Sequence, residues 1–134
     1  MTVIVCVDEK RGRTFLGKRQ SRDALLCEDV LALSGGARLV LSPYSAPLFE
    51  GACVTVSENA LSKAEKTDFC FSETEPLSPH KEKISRLVVY HWNRLYPADT
   101  FLDVTPEELG MTLVSREEFV GNSHETITRE VYAK

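Results

Sequence analysis

The segment TVIVCVD at residues 2–8 constrains the fold more than any other, because apolar and β-branched side chains fill it until Asp8. Such a run predicts a strand covered on both faces, as in a sheet with helices packed on each side. Further apolar runs follow, separated by short helical or turn segments. The other predicted strands cover residues 38–42, 53–57, 68–73 and 86–92. The pattern predicts one α/β domain over residues 1–134 with a mostly parallel sheet.

One amphipathic helix is predicted after the first loop. Ser21 is the expected N-cap, Asp23 lies in the first turn, and the helix runs to about Ser34, where Gly35 and Gly36 end it. Its apolar stripe has helical spacing. The stripe consists of Leu26, Cys27, Val30, Leu31 and Leu33.

The C-terminal region has a different period. Residues 111–119 and 124–132 alternate polar and apolar side chains around the turn VGNS. This alternation predicts a long antiparallel hairpin with one covered face.

The cysteines have no metal-site spacing, and each lies in an apolar run, which predicts small core side chains. They are Cys6, Cys27, Cys53 and Cys70. The first apolar run is too short for a signal peptide, and no stretch has the length of a membrane span. We therefore expect a cytoplasmic protein whose thiols stay reduced.

Positive charge is concentrated in the predicted loop at residues 10–22. This segment has six cations and no acid, although the whole chain has a net charge of −4. Two interpretations remain open: a solvated loop, or an electropositive rim for a phosphate, a nucleotide or RNA. The acidic balance of the whole chain argues against a dedicated duplex-binding protein.

Three residues near the helix start are candidate ligand contacts. Asp23 has the chemistry to bind an amidine-like or guanidine-like edge, or to relay a proton, and it is the best candidate for a catalytic residue. The alternative is that Asp23 only stabilises the helix N-terminus. Arg19 and Arg22 are the candidates for holding an anion, unless solvent alone surrounds them.

The order of these elements resembles dihydrofolate reductase along most of the chain. The similar segments are TVIVCVD, SRDALLCEDVL, ISRLVVYHW, ADTFLDV, MTLVSREEF and HETITREVYAK. The resemblance implies a mixed, mostly parallel sheet flanked by helices and closed by a C-terminal antiparallel hairpin. It also implies that Asp23 takes the place of the pterin-binding acid. Tyr90 takes the place of a threonine that supports this acid, which makes Tyr90 a candidate ligand contact.

The cofactor motifs of that family are altered. Ser72-Glu73 stands where the family has a Gly-Gly pair, at the point where backbone approaches the dinucleotide. A carboxylate there repels a pyrophosphate, and a side chain blocks close approach. The turn SPYSAPLF lacks the arginine that the family uses to bind phosphate. We therefore expect no cofactor, because Ser72-Glu73 disfavours NADPH.

Three functions follow, and whether the protein catalyses a reaction stays open. The first is a non-reducing module that binds a small anionic or nucleotide-like ligand at the C-terminal edge of the parallel strands. The second is a pterin-type NADPH-dependent reductase. The third is an RNA-binding protein or nuclease that uses the basic loop.

The chain also resembles short bacterial proteins labelled ribonuclease Z. True ribonuclease Z has a metallo-β-lactamase frame and a dense cluster of histidines and aspartates on paired metal ions. This chain has only His80, His91 and His124, at spacings that form no compact ligand pair. The label is therefore physically unsupported by the sequence, which predicts no metal site.

Overall fold

Ten strands and four short helices make up the computed structural model, which describes residues 1–134. The strands are β1 (Thr2–Val7), β2 (Gly12–Phe15), β3 (Lys18–Arg19), β4 (Leu39–Leu41), β5 (Thr55–Val56), β6 (Phe69–Phe71), β7 (Arg86–His91), β8 (Thr100–Phe101), β9 (Thr112–Phe119) and β10 (Ile127–Ala133). The α-helices are α1 (Ala24–Leu33) and α2 (Ala60–Lys63), and two 3-10 helices cover Ala46–Phe49 and Ser78–Lys83.

Seven strands form the main sheet in the order β5-β4-β6-β1-β7-β10-β9. β1 lies in the middle and runs parallel to both β6 and β7. β10 runs antiparallel to β7 and to β9, so the C-terminal hairpin completes the same sheet. The predicted mixed, mostly parallel sheet with a C-terminal antiparallel hairpin is confirmed.

The two faces of β1 explain its uninterrupted apolar sequence. Val3, Val5 and Val7 pack into one core with Leu61 and Leu87. On the opposite face, the side chain of Ile4 packs into a second core with α1 and the first 3-10 helix. Since successive strand residues point to opposite faces, a strand between two cores has no position for a solvated side chain.

The segment predicted as a loop at residues 10–22 is instead largely a hairpin. β2 pairs antiparallel with β3, and β8 pairs with β2 on its other side, giving a second sheet of three strands. Leu16 and Gly17 form the tight turn with φ angles of 52° and 75°. The loop prediction was wrong because β2 pairs with β8, which lies far along the chain, and no local sequence pattern predicts that pairing.

The start of α1 also differs from the prediction. Asp23, with an extended backbone, is the N-cap, and its side chain accepts hydrogen bonds from the amides of Leu25 and Leu26. Ser21 lies outside the helix. The C-cap is Ser34, and the two glycines follow it. Serine and aspartate are comparable N-caps, so composition alone did not decide between them.

Two of the four cysteines are core side chains, as predicted. Cys27 and Cys70 are buried, and burial raises the pKa of the first to about 11 and of the second to about 12. Cys6 is half-buried. Cys53 is exposed, so the prediction for this residue was wrong: β5 begins only at Thr55, which leaves Cys53 outside the strand.

We expect Leu87→Ala to lower the free energy of unfolding by about 2–5 kcal/mol, because Leu87 is fully buried beside Val3. Leu95→Ala is the matched control, since Leu95 is 56% exposed, and we expect a change within about 0.5 kcal/mol. Urea unfolding monitored by Trp92 fluorescence measures both. Equal losses for the two variants would contradict the position given to β1 and β7.

Candidate functional site

Arg13 from β2 lies buried against the turn that follows β6. Arg13 is only 7% exposed. Its guanidinium donates hydrogen bonds to the Ser72 carbonyl at 2.8 Å, to the Ser72 hydroxyl at 3.0 Å and to the Glu75 carbonyl at 2.9 Å. Burial lowers the pKa of Arg13, but an arginine stays protonated at neutral pH. The turn is therefore held by a buried cation that bonds to its backbone.

Arg19 from β3 fills the space beside Arg13. It forms a two-point ion pair with Glu73, with Nε–Oε2 at 2.8 Å and Nη2–Oε1 at 2.9 Å. The Ser45 hydroxyl donates to the same carboxylate at 2.7 Å, and the guanidinium lies 4.2 Å from the Tyr44 ring centre. The hydrogen bonds to Glu73 raise the pKa of Arg19. Side chains thus occupy the edge next to Ser72-Glu73.

The cations of residues 10–22 divide into two groups. Arg11 donates to the Val104 carbonyl at 2.6 Å, and Arg13 and Arg19 have the contacts given above. Three of the six cations in this segment therefore bind internal acceptors. The other three cations, which have exposed side chains, are Lys10, Lys18 and Arg22.

Asp23 is 3% exposed and accepts several hydrogen bonds besides those of α1. The amides of Asn122 and Ser123 donate to it at 2.9 Å and 2.8 Å, and His124 Nδ1 lies 2.9 Å from Oδ2. Burial alone raises the pKa of Asp23, but the hydrogen bonds from Asn122, His124 and Ser123 prevail and hold it far below its usual range. Asp23 is thus an ionised link between α1 and the β9–β10 turn.

Gly121 is required for this link. A Cβ at Gly121 would stand 2.6 Å from Asp23 Oδ2 and 2.9 Å from a methyl of Ile127. Both distances are shorter than real Cβ contacts, so a side chain here pushes the turn away from the carboxylate. The sequence GNS therefore fits the close approach of the turn to α1.

The sequence analysis did not identify the group around His124. Nε2 of this histidine lies 3.1 Å from the Ser21 hydroxyl and 3.0 Å from the Tyr96 hydroxyl. Trp92 stacks on the imidazole with ring centres 4.6 Å apart. These residues come from three separate parts of the chain, around residues 21, 92–96 and 124, so no local spacing points to the whole group.

Tyr90 does not contact Asp23. Its hydroxyl donates to Asp29 at 2.6 Å, farther along α1, and Arg129 binds the same carboxylate at 2.7 Å. Burial, reinforced by the bond to Asp29, raises the pKa of Tyr90. The prediction that Tyr90 supports Asp23 was wrong, because the Tyr90 hydroxyl bonds to Asp29, in the middle of α1.

A groove of about 560 Å³ lies between α1 and the first 3-10 helix. Its apolar lining includes Cys27, Leu31 and Phe49, and its charged lining includes Arg22, Glu28 and Glu50. Of the four predicted ligand contacts, Arg22 and Asp23 lie at this groove, whereas Arg19 lies at the filled edge and Tyr90 at Asp29. Ligand binding by all four stays a prediction.

No group of three or more histidine, cysteine, aspartate or glutamate side chains is arranged to hold a metal ion. None of the helices combines the length and the apolar character that crossing a membrane requires.

Comparison with known proteins identifies the fold. No protein-family model matches the chain, and no curated protein matches it. Among solved structures, the chain is similar to a dihydrofolate reductase from Enterococcus faecalis complexed with NADP(H) and RAB-propyl. The TM-score is 0.68 at 14% sequence identity, over 98% of this chain and 94% of the reductase. The chain therefore has a dihydrofolate reductase-like fold, and no comparison supports the ribonuclease Z label.

We expect Asp23→Asn to lower the free energy of unfolding at pH 7 by about 2–3 kcal/mol, because an amide cannot replace an ionised acceptor of several bonds. The loss shrinks in acid. A carboxyl with a lowered native pKa stabilises the fold above its unfolded pKa, and this contribution decreases as the pH falls.

From pH 5 to pH 3, the wild type should lose about 1 kcal/mol more than the variant. Urea unfolding at both pH values measures the difference. The same pH dependence in the two proteins would contradict an ionised Asp23.

Proposed function

We propose that the protein is a non-reducing module that binds a small nucleotide-like ligand in the groove between α1 and the first 3-10 helix. The observation that supports this most directly is the contrast between two adjacent regions. The groove is open, whereas side chains fill the edge beside Ser72-Glu73. A volume of about 560 Å³ lies within the range of small-molecule sites.

The filled edge supports a function without nicotinamide chemistry. A pyrophosphate placed there meets the Glu73 carboxylate and has to displace the Arg19 ion pair and the Ser45 hydrogen bond. Both arginines nearby already have acceptors, and the unpaired N–H of Arg13, at Nε, is buried. The cavity that Arg13 lines has a volume of about 10 Å³, which is too small for a phosphate. The residues at this edge do not fit a dinucleotide.

The groove lining supports a planar ligand with one anionic group. Cys27, Leu31 and Phe49 offer an apolar wall for a ring. Glu28 and Glu50 are exposed acceptors for N–H groups on the ring edge, and Arg22 is an exposed cation for a phosphate or carboxylate. A nucleoside monophosphate has all three kinds of group.

The fold also supports a second candidate, a pterin-type NADPH-dependent reductase, but the side chains that fill the edge beside Ser72-Glu73 argue against it.

RNA binding has less support than the sequence alone suggested, since three of the six cations in residues 10–22 have internal acceptors. We also propose a cytoplasmic location, because the four cysteines are free thiols, as a reducing compartment keeps them.

We expect a nucleoside monophosphate, from a panel with nucleosides, pterins and folates, to raise the melting temperature. At a ligand concentration of about 100 times Kd, binding raises the free energy of unfolding by about 2.7 kcal/mol. Ala24→Trp should abolish the shift, because Ala24 is exposed and lines the groove. Ala32→Trp, on an exposed position of the same helix outside the groove, should keep it.

Arg22→Ala should weaken the shift by a nucleoside monophosphate and leave the shift by the matching nucleoside unchanged. Two results would contradict the proposal: no compound of the panel stabilises the wild type, or Ala24→Trp responds like the wild type.

A further inference from the structure

Ser21, His124 and Asp23 form a continuous hydrogen-bonded chain. The Ser21 hydroxyl lies 3.1 Å from His124 Nε2, and His124 Nδ1 lies 2.9 Å from Asp23 Oδ2. This order of hydroxyl, imidazole and carboxylate has the geometry in which a histidine activates a serine nucleophile. The Tyr96 hydroxyl approaches the same Nε2 at 3.0 Å and the serine oxygen at 3.4 Å.

The surroundings fix the tautomer of the imidazole. Asp23 is an acceptor only, so Nδ1 carries the proton that it donates, and the lone pair of a neutral His124 is then on Nε2, toward Ser21. Stacking on Trp92 holds the ring plane. The side chains of His124 and Asp23 are 1% and 0% exposed, so water does not compete for their hydrogen bond.

A cavity of about 10 Å³ adjoins Ser21, and Arg13 and Gln20 line it as well. Each of these two side chains retains one buried polar atom without a partner, Arg13 Nε and Gln20 Oε1. The volume accommodates about one water molecule or one oxygen atom of a ligand. Ser21 therefore lines the same cavity as a buried cation that has one unpaired N–H.

We propose that Ser21 is the nucleophile of a hydrolytic site for small, neutral carboxylic esters with a short acyl group. His124 is the general base, Asp23 positions its imidazole, and Arg13 Nε–H receives the carbonyl oxygen of the substrate. The cavity admits this oxygen, while the remainder of the ester stays toward solvent. The cavity shares no lining residue with the groove of the proposed function, and Asp23 is the one residue that belongs to both sites. Ser21 lies outside the groove, so a change at Ser21 tests hydrolysis without changing the groove.

The reaction has two balanced steps. The Ser21 oxygen bonds to the carbonyl carbon, its proton passes to His124 Nε2, and the negative charge develops on the oxygen beside Arg13. When the ester C–O bond breaks, the alcohol leaves with the proton from His124. Water then attacks the acyl carbon on Ser21 while His124 accepts a proton from the water. When the bond between this carbon and the Ser21 oxygen breaks, His124 returns the proton to Ser21 and the carboxylic acid is released.

Ser21→Ala is the informative variant because the Ser21 hydroxyl bonds only to the side chains of His124 and Tyr96. Its removal breaks no backbone contact, so the variant should fold. Ser62→Ala is the matched control, since Ser62 is an exposed serine in α2. Circular dichroism and thermal melting verify that both variants are folded.

Two measurements test the proposal on the full chain. A fluorophosphonate probe should attach once per chain, with formation of an Oγ–P bond and loss of fluoride, and mass spectrometry should locate it at Ser21. Hydrolysis of p-nitrophenyl acetate should be faster with wild type than in buffer, equal in Ser62→Ala and about 10²–10⁴-fold slower in Ser21→Ala.

Labelling at Ser21 together with loss of hydrolysis in Ser21→Ala supports the proposal. It is overturned if the wild type neither reacts with the probe nor hydrolyses the ester. It is also overturned if Ser21→Ala reacts or hydrolyses at the wild-type rate.

Discussion

The buried guanidinium of Arg13 is the interaction on which the rest of the sheet edge depends. A cation removed from water is costly unless acceptors surround it, and here the acceptors belong to Ser72 and Glu75, in the turn after β6. The β2–β3 hairpin supplies Arg13 and also Arg19, which pairs with Glu73 in the same turn. Hairpin and turn therefore hold each other, and the space between them closes.

Closing this edge leaves the remainder of the fold intact. The chain keeps a dihydrofolate reductase-like fold over 98% of its length, while the Arg19–Glu73 pair fills the edge beside Ser72. Elsewhere in the fold, hydrogen bonds to Asp23 connect the start of α1 to the β9–β10 turn. The two cores hold the sheet and helices together, whereas the contacts at this edge come from a few side chains on short strands and turns.

The main sheet was predictable because its strands have strong local signals. The run at residues 2–8 and the alternation at residues 111–132 determine their own structure, and their order fits one topology. The site was less predictable. The importance of Ser72-Glu73 was visible in the sequence, but the pairing of Glu73 with Arg19 spans 54 residues, and that of Asp23 with His124 spans 101. Such contacts depend on tertiary packing, which no local pattern encodes.

Titration of the protein with NADPH in a calorimeter tests most directly whether side chains have replaced the dinucleotide site. We predict no saturable binding by the wild type, with any Kd weaker than about 1 mM. A phosphate at this edge must break the Arg19–Glu73 pair, and the cavity lined by Arg13, whose Nε–H is unpaired, has room for only about one oxygen atom. Saturable binding with a Kd in the micromolar range would contradict the replacement of the cofactor site.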